Sequence, residues 1–122
     1  MARVYTILVV DDDPDLIDLV TRVLEEPSYA VVTARDGFQA IRILADRHID
    51  LMITDIRMPG LSGFELAAQA KLMQARLHVI YISGYYAEAR EGRLPAYGLL
   101  LQKPVRPDAL LATIRQEMTG VP

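Results

Sequence analysis

The chain has 122 residues, a net charge of −3, 52% hydrophobic residues and no cysteine. That length suits one domain, and the apolar share excludes a disordered chain. Lack of cysteine excludes a disulfide framework and a thiolate metal site, and the mild charge argues against a nucleic-acid surface.

The opening "MARVYTIL" lacks the apolar stretch and cleavage site of a secretory signal. No apolar run approaches the roughly 18 residues of a membrane span. The expectation is a soluble cytoplasmic protein with no membrane contact. A first strand is predicted over Tyr5–Val10, and it runs straight into Asp11, Asp12 and Asp13. Two unit charges about 4 Å apart repel by roughly 4 kcal/mol at an effective dielectric near 20. Either those side chains diverge into water or a cation sits among them. A helix follows, opened by Pro14, with Leu16, Leu19, Val20 and Val23 on one face. Asp13 and Asp15 suit its cap and first turn.

A second strand is predicted over Tyr29–Thr33, then a helix carrying Ala40, Ile41 and Leu44 after Asp36–Gly37. The third strand, Leu51–Thr54, ends at Asp55. "SGFE" then starts a helix, because Ser62 and Glu65 have capping-box spacing. A strand over Val79–Ile82 leads to Ser83 and Gly84. A short, weakly patterned helix is expected around Ala87–Arg93, then a strand over Leu99–Leu101 that leads to Lys103 and Pro104. Pro107 opens a last helix with Leu110, Leu111, Ile114 and Met118 inward. Met52 and Met73 read as core filler.

Short Val/Ile-rich runs alternating with amphipathic ones predict an α/β fold: a doubly wound parallel sheet of five strands flanked by five helices. Such sheets bind ligands beyond the carboxyl ends of their strands. Those ends deliver Asp11, Asp12 and Asp55, the hydroxyl of Ser83 and the ammonium of Lys103 to one edge. Oxygen-only carboxylate donors suit a hard divalent cation, and Mg²⁺ is the natural choice. His48 and His78 lie before strands, far from that edge, so no histidine metal site is expected.

In "VVDDD", "DIRMPG", "YISG" and "QKP", each at a strand end and in this order, the chain resembles the receiver domains of two-component response regulators. The resemblance covers nearly all of residues 1–122, read as one receiver domain. It implies a CheY-like, flavodoxin-like sheet of order 2-1-3-4-5, with Asp55 as phosphoacceptor. It also implies Mg²⁺ held by Asp11, Asp12, Asp55 and the backbone carbonyl of Arg57. Ser83 and Lys103 are then the residues that contact the phosphoryl group, and the Lys103–Pro104 bond is cis. The implied partner is a sensor histidine kinase or a histidine phosphotransfer protein of a phosphorelay, with an output partner or a homodimer beyond it. One departure is plain: many relatives carry an aromatic residue three positions before the lysine, where this chain has Leu100. Tyr85, Tyr86 and Tyr97 are the nearby aromatic candidates.

Blander readings exist for each residue. Asp11 and Asp12 can cap a helix, Asp55 and Ser83 can be turn residues, and Lys103 can be a surface lysine. Two other functions also use these residues: a small Mg²⁺-dependent phosphohydrolase with Asp55 as nucleophile, and a pseudo-receiver that only binds protein. Arg57 and Tyr85, two residues beyond Asp55 and Ser83, are expected to overhang the site and slow hydrolysis of the phosphorylated state.

Overall fold

In the computed structural model, residues 4–25, 29–84 and 97–119 are described. Five strands form one parallel sheet: β1 (Thr6–Val10), β2 (Ala30–Ala34), β3 (Leu51–Asp55), β4 (His78–Ser83) and β5 (Gly98–Gln102). Among the described residues there are four helices: α1 (Pro14–Glu25), α2 (Gly37–Asp46), α3 (Gly63–Met73) and α4 (Pro107–Thr119). The fifth helix expected around Ala87–Arg93 lies outside the described residues. No described helix is long and apolar enough to cross a membrane.

The strand order is β2-β1-β3-β4-β5. The chain winds outward from β1 to β2, then crosses back to β3 and continues the other way. The switch point therefore falls between β1 and β3, whose ends carry Asp11 and Asp55. Register explains how the two ends align, because Val10 pairs with Thr54.

Period-two alternation sorts the strand side chains into two cores. Ile7, Val9, Leu51, Ile53, Ile80 and Ile82 face α1 and α4. Leu8, Val10, Met52, Val79 and Tyr81 face α2 and α3. Burial of β1, β3 and β4 on both faces is why those segments read as unbroken apolar runs.

Three of the four described helices begin where a side chain caps their first turn. Asp13 Oδ1 accepts from the Asp15 amide at 3.0 Å ahead of α1. Asp36 Oδ1 accepts from the Gln39 amide at 2.8 Å ahead of α2. Ser62 and Glu65 form the complete capping box of α3, a device worth about 1 kcal/mol. Two inward assignments need correcting. In α1 the buried residues are Leu16, Val20 and Leu24, while Leu19 turns outward. An i, i+4, i+8 stripe already covers the sheet, and Leu19 lies beside it. Met73, on the last turn of α3, is also exposed and fills no core.

Candidate functional site

At the C-terminal edge of the sheet, β1 delivers Asp11 and Asp12, β3 delivers Asp55, and the turn after β5 delivers Lys103. One carboxylate oxygen from each aspartate lies within 4.8 Å of the others. Asp11 and Asp55 are buried, whereas Asp12 is exposed. Lys103 Nζ stands 3.3 Å from Asp55 Oδ2 and 3.5 Å from Asp11 Oδ2. The Lys103–Pro104 peptide is cis, as the resemblance implied.

Asp11 uses its two oxygens differently. Oδ1 accepts from the Asp13 amide at 2.8 Å, while Oδ2 is buried and accepts no hydrogen bond. Burial pushes the Asp11 carboxyl up to about 6; the Asp13 amide opposes this, the Asp55 charge adds to it, and Lys103 offsets part of it. Burial alone would lower the Lys103 ammonium, but the charges of Asp11 and Asp55 outweigh it and raise it. The donors fit a hard divalent cation: all are oxygens, three carboxylates converge, and one buried oxygen lacks a hydrogen-bond donor.

Ser83 is the buried last residue of β4. Its carbonyl accepts from the Lys103 amide at 2.8 Å, which ties the fourth strand end to the lysine. Arg57 is exposed on the loop after β3. Tyr85 and Tyr86 lie outside the described residues. Leu100 pairs in register with Tyr81 of β4, whose buried ring packs against Phe64 at 5.2 Å between centroids. Tyr97 is exposed.

The histidines sit at the opposite edge. His48 Nε2 is 3.0 Å from Asp50 Oδ1, and His78 Nδ1 is 3.1 Å from Glu117 Oε2. Sequence reasoning missed two residues. Gln74 holds the α2–β3 turn: its amide nitrogen donates to the Leu44 and Arg47 carbonyls, and its oxygen accepts from the Ile49 amide. Phe38 is 57% exposed and lies against Gly60, in the loop that follows Asp55. An apolar side chain just inside a helix start, away from the core stripe, was the available signal.

Sheet order and site together define the CheY-like class of doubly wound α/β proteins. The sequence model of the response regulator receiver domain matches residues 7–115, and the chain belongs to that family, the receivers of two-component signalling systems. It is 36% identical over 110 residues to the transcriptional regulatory protein GlrR of Escherichia coli, covering 88% of this chain and 25% of that protein. The chain thus spans about a quarter of that relative. Among solved structures, a CheY-like receiver protein from Methanospirillum hungatei is similar with a TM-score of 0.87 and 25% identity, over 97% of this chain and 96% of that one. TrrA from Thermotoga maritima, solved in complex with Mg²⁺ and BeF, is similar with a TM-score of 0.83 and 29% identity, over 92% of this chain and 97% of that one.

Proposed function

We propose that residues 1–122 act as one phosphorylation-controlled receiver, a phosphorelay switch in which Asp55 accepts a phosphoryl group with Mg²⁺. The observation that supports this most is the Asp55 carboxylate: it ends a central strand, pairs with Lys103 at 3.3 Å and shares a 4.8 Å cluster with Asp11 and Asp12. An Asp55 oxygen attacks phosphorus, the P–N bond to a donor imidazole breaks, and its electron pair leaves with the imidazole. Water later attacks the same phosphorus and returns Asp55 to a carboxylate. The chain catalyses only its own phosphorylation and dephosphorylation.

Asp11, Asp12, Asp55 and the Arg57 carbonyl would hold the cation. When bound, Mg²⁺ supplies positive charge to the phosphoryl oxygens and templates in-line displacement. Lys103 contributes the second cation. The Ser83 hydroxyl is the hydrogen-bond donor whose geometry changes with phosphorylation. Arg57 overhangs the site and slows the attack of water.

The donor is a histidine kinase or histidine phosphotransfer protein in the cytoplasm. Its docking surface is the start of α1, where Asp13, Leu16, Leu19, Lys103 and Pro104 border an open cavity of about 240 Å³. An output partner or a second copy reads the switched state.

Mass spectrometry after incubation with acetyl phosphate and Mg²⁺ tests this reading. Wild type gains one phosphoryl group, and Asp55→Asn gains none while keeping its fold, because the amide is no nucleophile. Continuous turnover would instead mark a phosphohydrolase, and no reaction in wild type a pseudo-receiver.

A further inference from the structure

The loop of residues 56–62 joins Asp55 to α3 and carries Arg57. Both of its ends are fixed. The Thr54 hydroxyl donates to the Asp55 carbonyl at 2.9 Å, and the Gly63 amide donates to the Ile56 carbonyl at 2.8 Å. Gly63 packs so closely on β3 that any side chain there would strike the Asp55 carbonyl.

The middle of the loop is held differently. Gly60 has φ +82°, a backbone state that disfavours side chains. A Cβ built there would stand 2.8 Å from Phe38 Cε2, so the ring rests on the glycine backbone. One residue earlier in α2 and one residue later in the loop, the fit repeats: a Cβ on Gly37 would stand 2.8 Å from Leu61 Cβ. The first two residues of α2 therefore abut Gly60 and Leu61. Phe38 belongs to neither core cluster and is 57% exposed, so its contact with this loop is the packing it has to offer.

We infer that Phe38 is a positioning residue: by resting on Gly60 it sets the loop that presents the Arg57 carbonyl to the cation. This rests on the Mg²⁺ site proposed above. The ring is not one of the proposed ligands. It acts through backbone, because Gly60 lies only three residues beyond Arg57. Groups that orient a metal ligand from outside typically change affinity about 10–100-fold when removed.

The test compares wild type, Phe38→Ala, Phe38→Leu and the control Leu72→Ala, an exposed apolar residue on α3. Two quantities are measured on unphosphorylated protein: Mg²⁺ affinity by direct titration, and amide hydrogen exchange of Met58, Gly60 and Leu61 without metal. Phe38→Ala should bind Mg²⁺ about 10-fold more weakly and exchange these amides faster. Phe38→Leu, which keeps apolar contact with Gly60, should recover most of the affinity, and Leu72→Ala should match wild type. A wild type that binds Mg²⁺ beside a Phe38→Ala protein of equal affinity overturns the positioning role alone. A wild type that takes up no Mg²⁺ overturns the site reading and the positioning role with it.

Discussion

Asp11 is the residue in which the conflict of this site is most concentrated. Its buried carboxyl titrates at about 6, well above the ordinary aspartate range, and burial is the main cause. A raised carboxyl favours the neutral form in the folded chain. The stability it contributes is therefore fully present below about pH 4 and is lost as pH rises through about 6. In metal-free protein, Asp11→Asn removes that loss because the amide stays neutral. At pH 7.5 the variant should be more stable by at most about 3 kcal/mol, a rise in Tm on the order of 10 °C, and the gap should close toward pH 4. Thermal melts in chelator across that range measure it. A constant gap at every pH would show that packing, not ionisation, explains the difference.

At the scale of elements, α1 and the α2–β3 turn make contrasting cases. Leu16, Val20 and Leu24 anchor α1, which leaves Leu19 outward beside Pro104 and the acidic edge. Ile17 also lies near that edge but packs partly against the core, so Leu19 is the cleaner probe. Leu19→Glu should slow phosphoryl transfer from a protein donor about 10-fold while leaving labelling by acetyl phosphate unchanged, since a charge forced into an apolar docking contact weakens it, and tenfold corresponds to about 1.4 kcal/mol. Comparing the two labelling rates decides, and equal loss with both donors would point to damage at the site. Gln74 works inside the fold, where one amide bridges two carbonyls and a backbone amide. Gln74→Leu strands those groups and should cost about 2–3 kcal/mol, read as a lower denaturation midpoint with an unchanged slope.

For the whole molecule, the charge gathered at one sheet edge would link stability to the cation binding proposed for it. Three aspartates converge there against one lysine. A ligand bound only by the folded state adds about 2.7 kcal/mol at a concentration 100 times its Kd. Mg²⁺ should therefore raise the Tm of wild type by several degrees, and NaCl of equal ionic strength should do far less. In Asp12→Ala the metal-free Tm should rise slightly, because repulsion falls, and most of the Mg²⁺ response should vanish. An undiminished response would leave Asp12 as a solvated charge at the edge.

Much of this was legible in the linear chain. The five strands, the capping box at Ser62 and Glu65, and the strand-end positions of Asp11, Asp12, Asp55, Ser83 and Lys103 follow from local pattern. Burial on both faces demands unbroken apolar runs, and helix starts demand particular side chains within a few residues. Those are short-range requirements, so sequence alone determined them. The tertiary structure decided the rest. It turned Leu19 and Met73 to the surface, set Gln74 across the α2–β3 turn, and rested Phe38 on Gly60. It brought Lys103 to Asp55 across 48 positions of chain, and buried Asp11 deeply enough to shift its titration. Each of these depends on which surfaces meet in space. Helical periodicity names a face but not what covers it, and the charge a carboxyl prefers is set by the water and cations the fold leaves beside it.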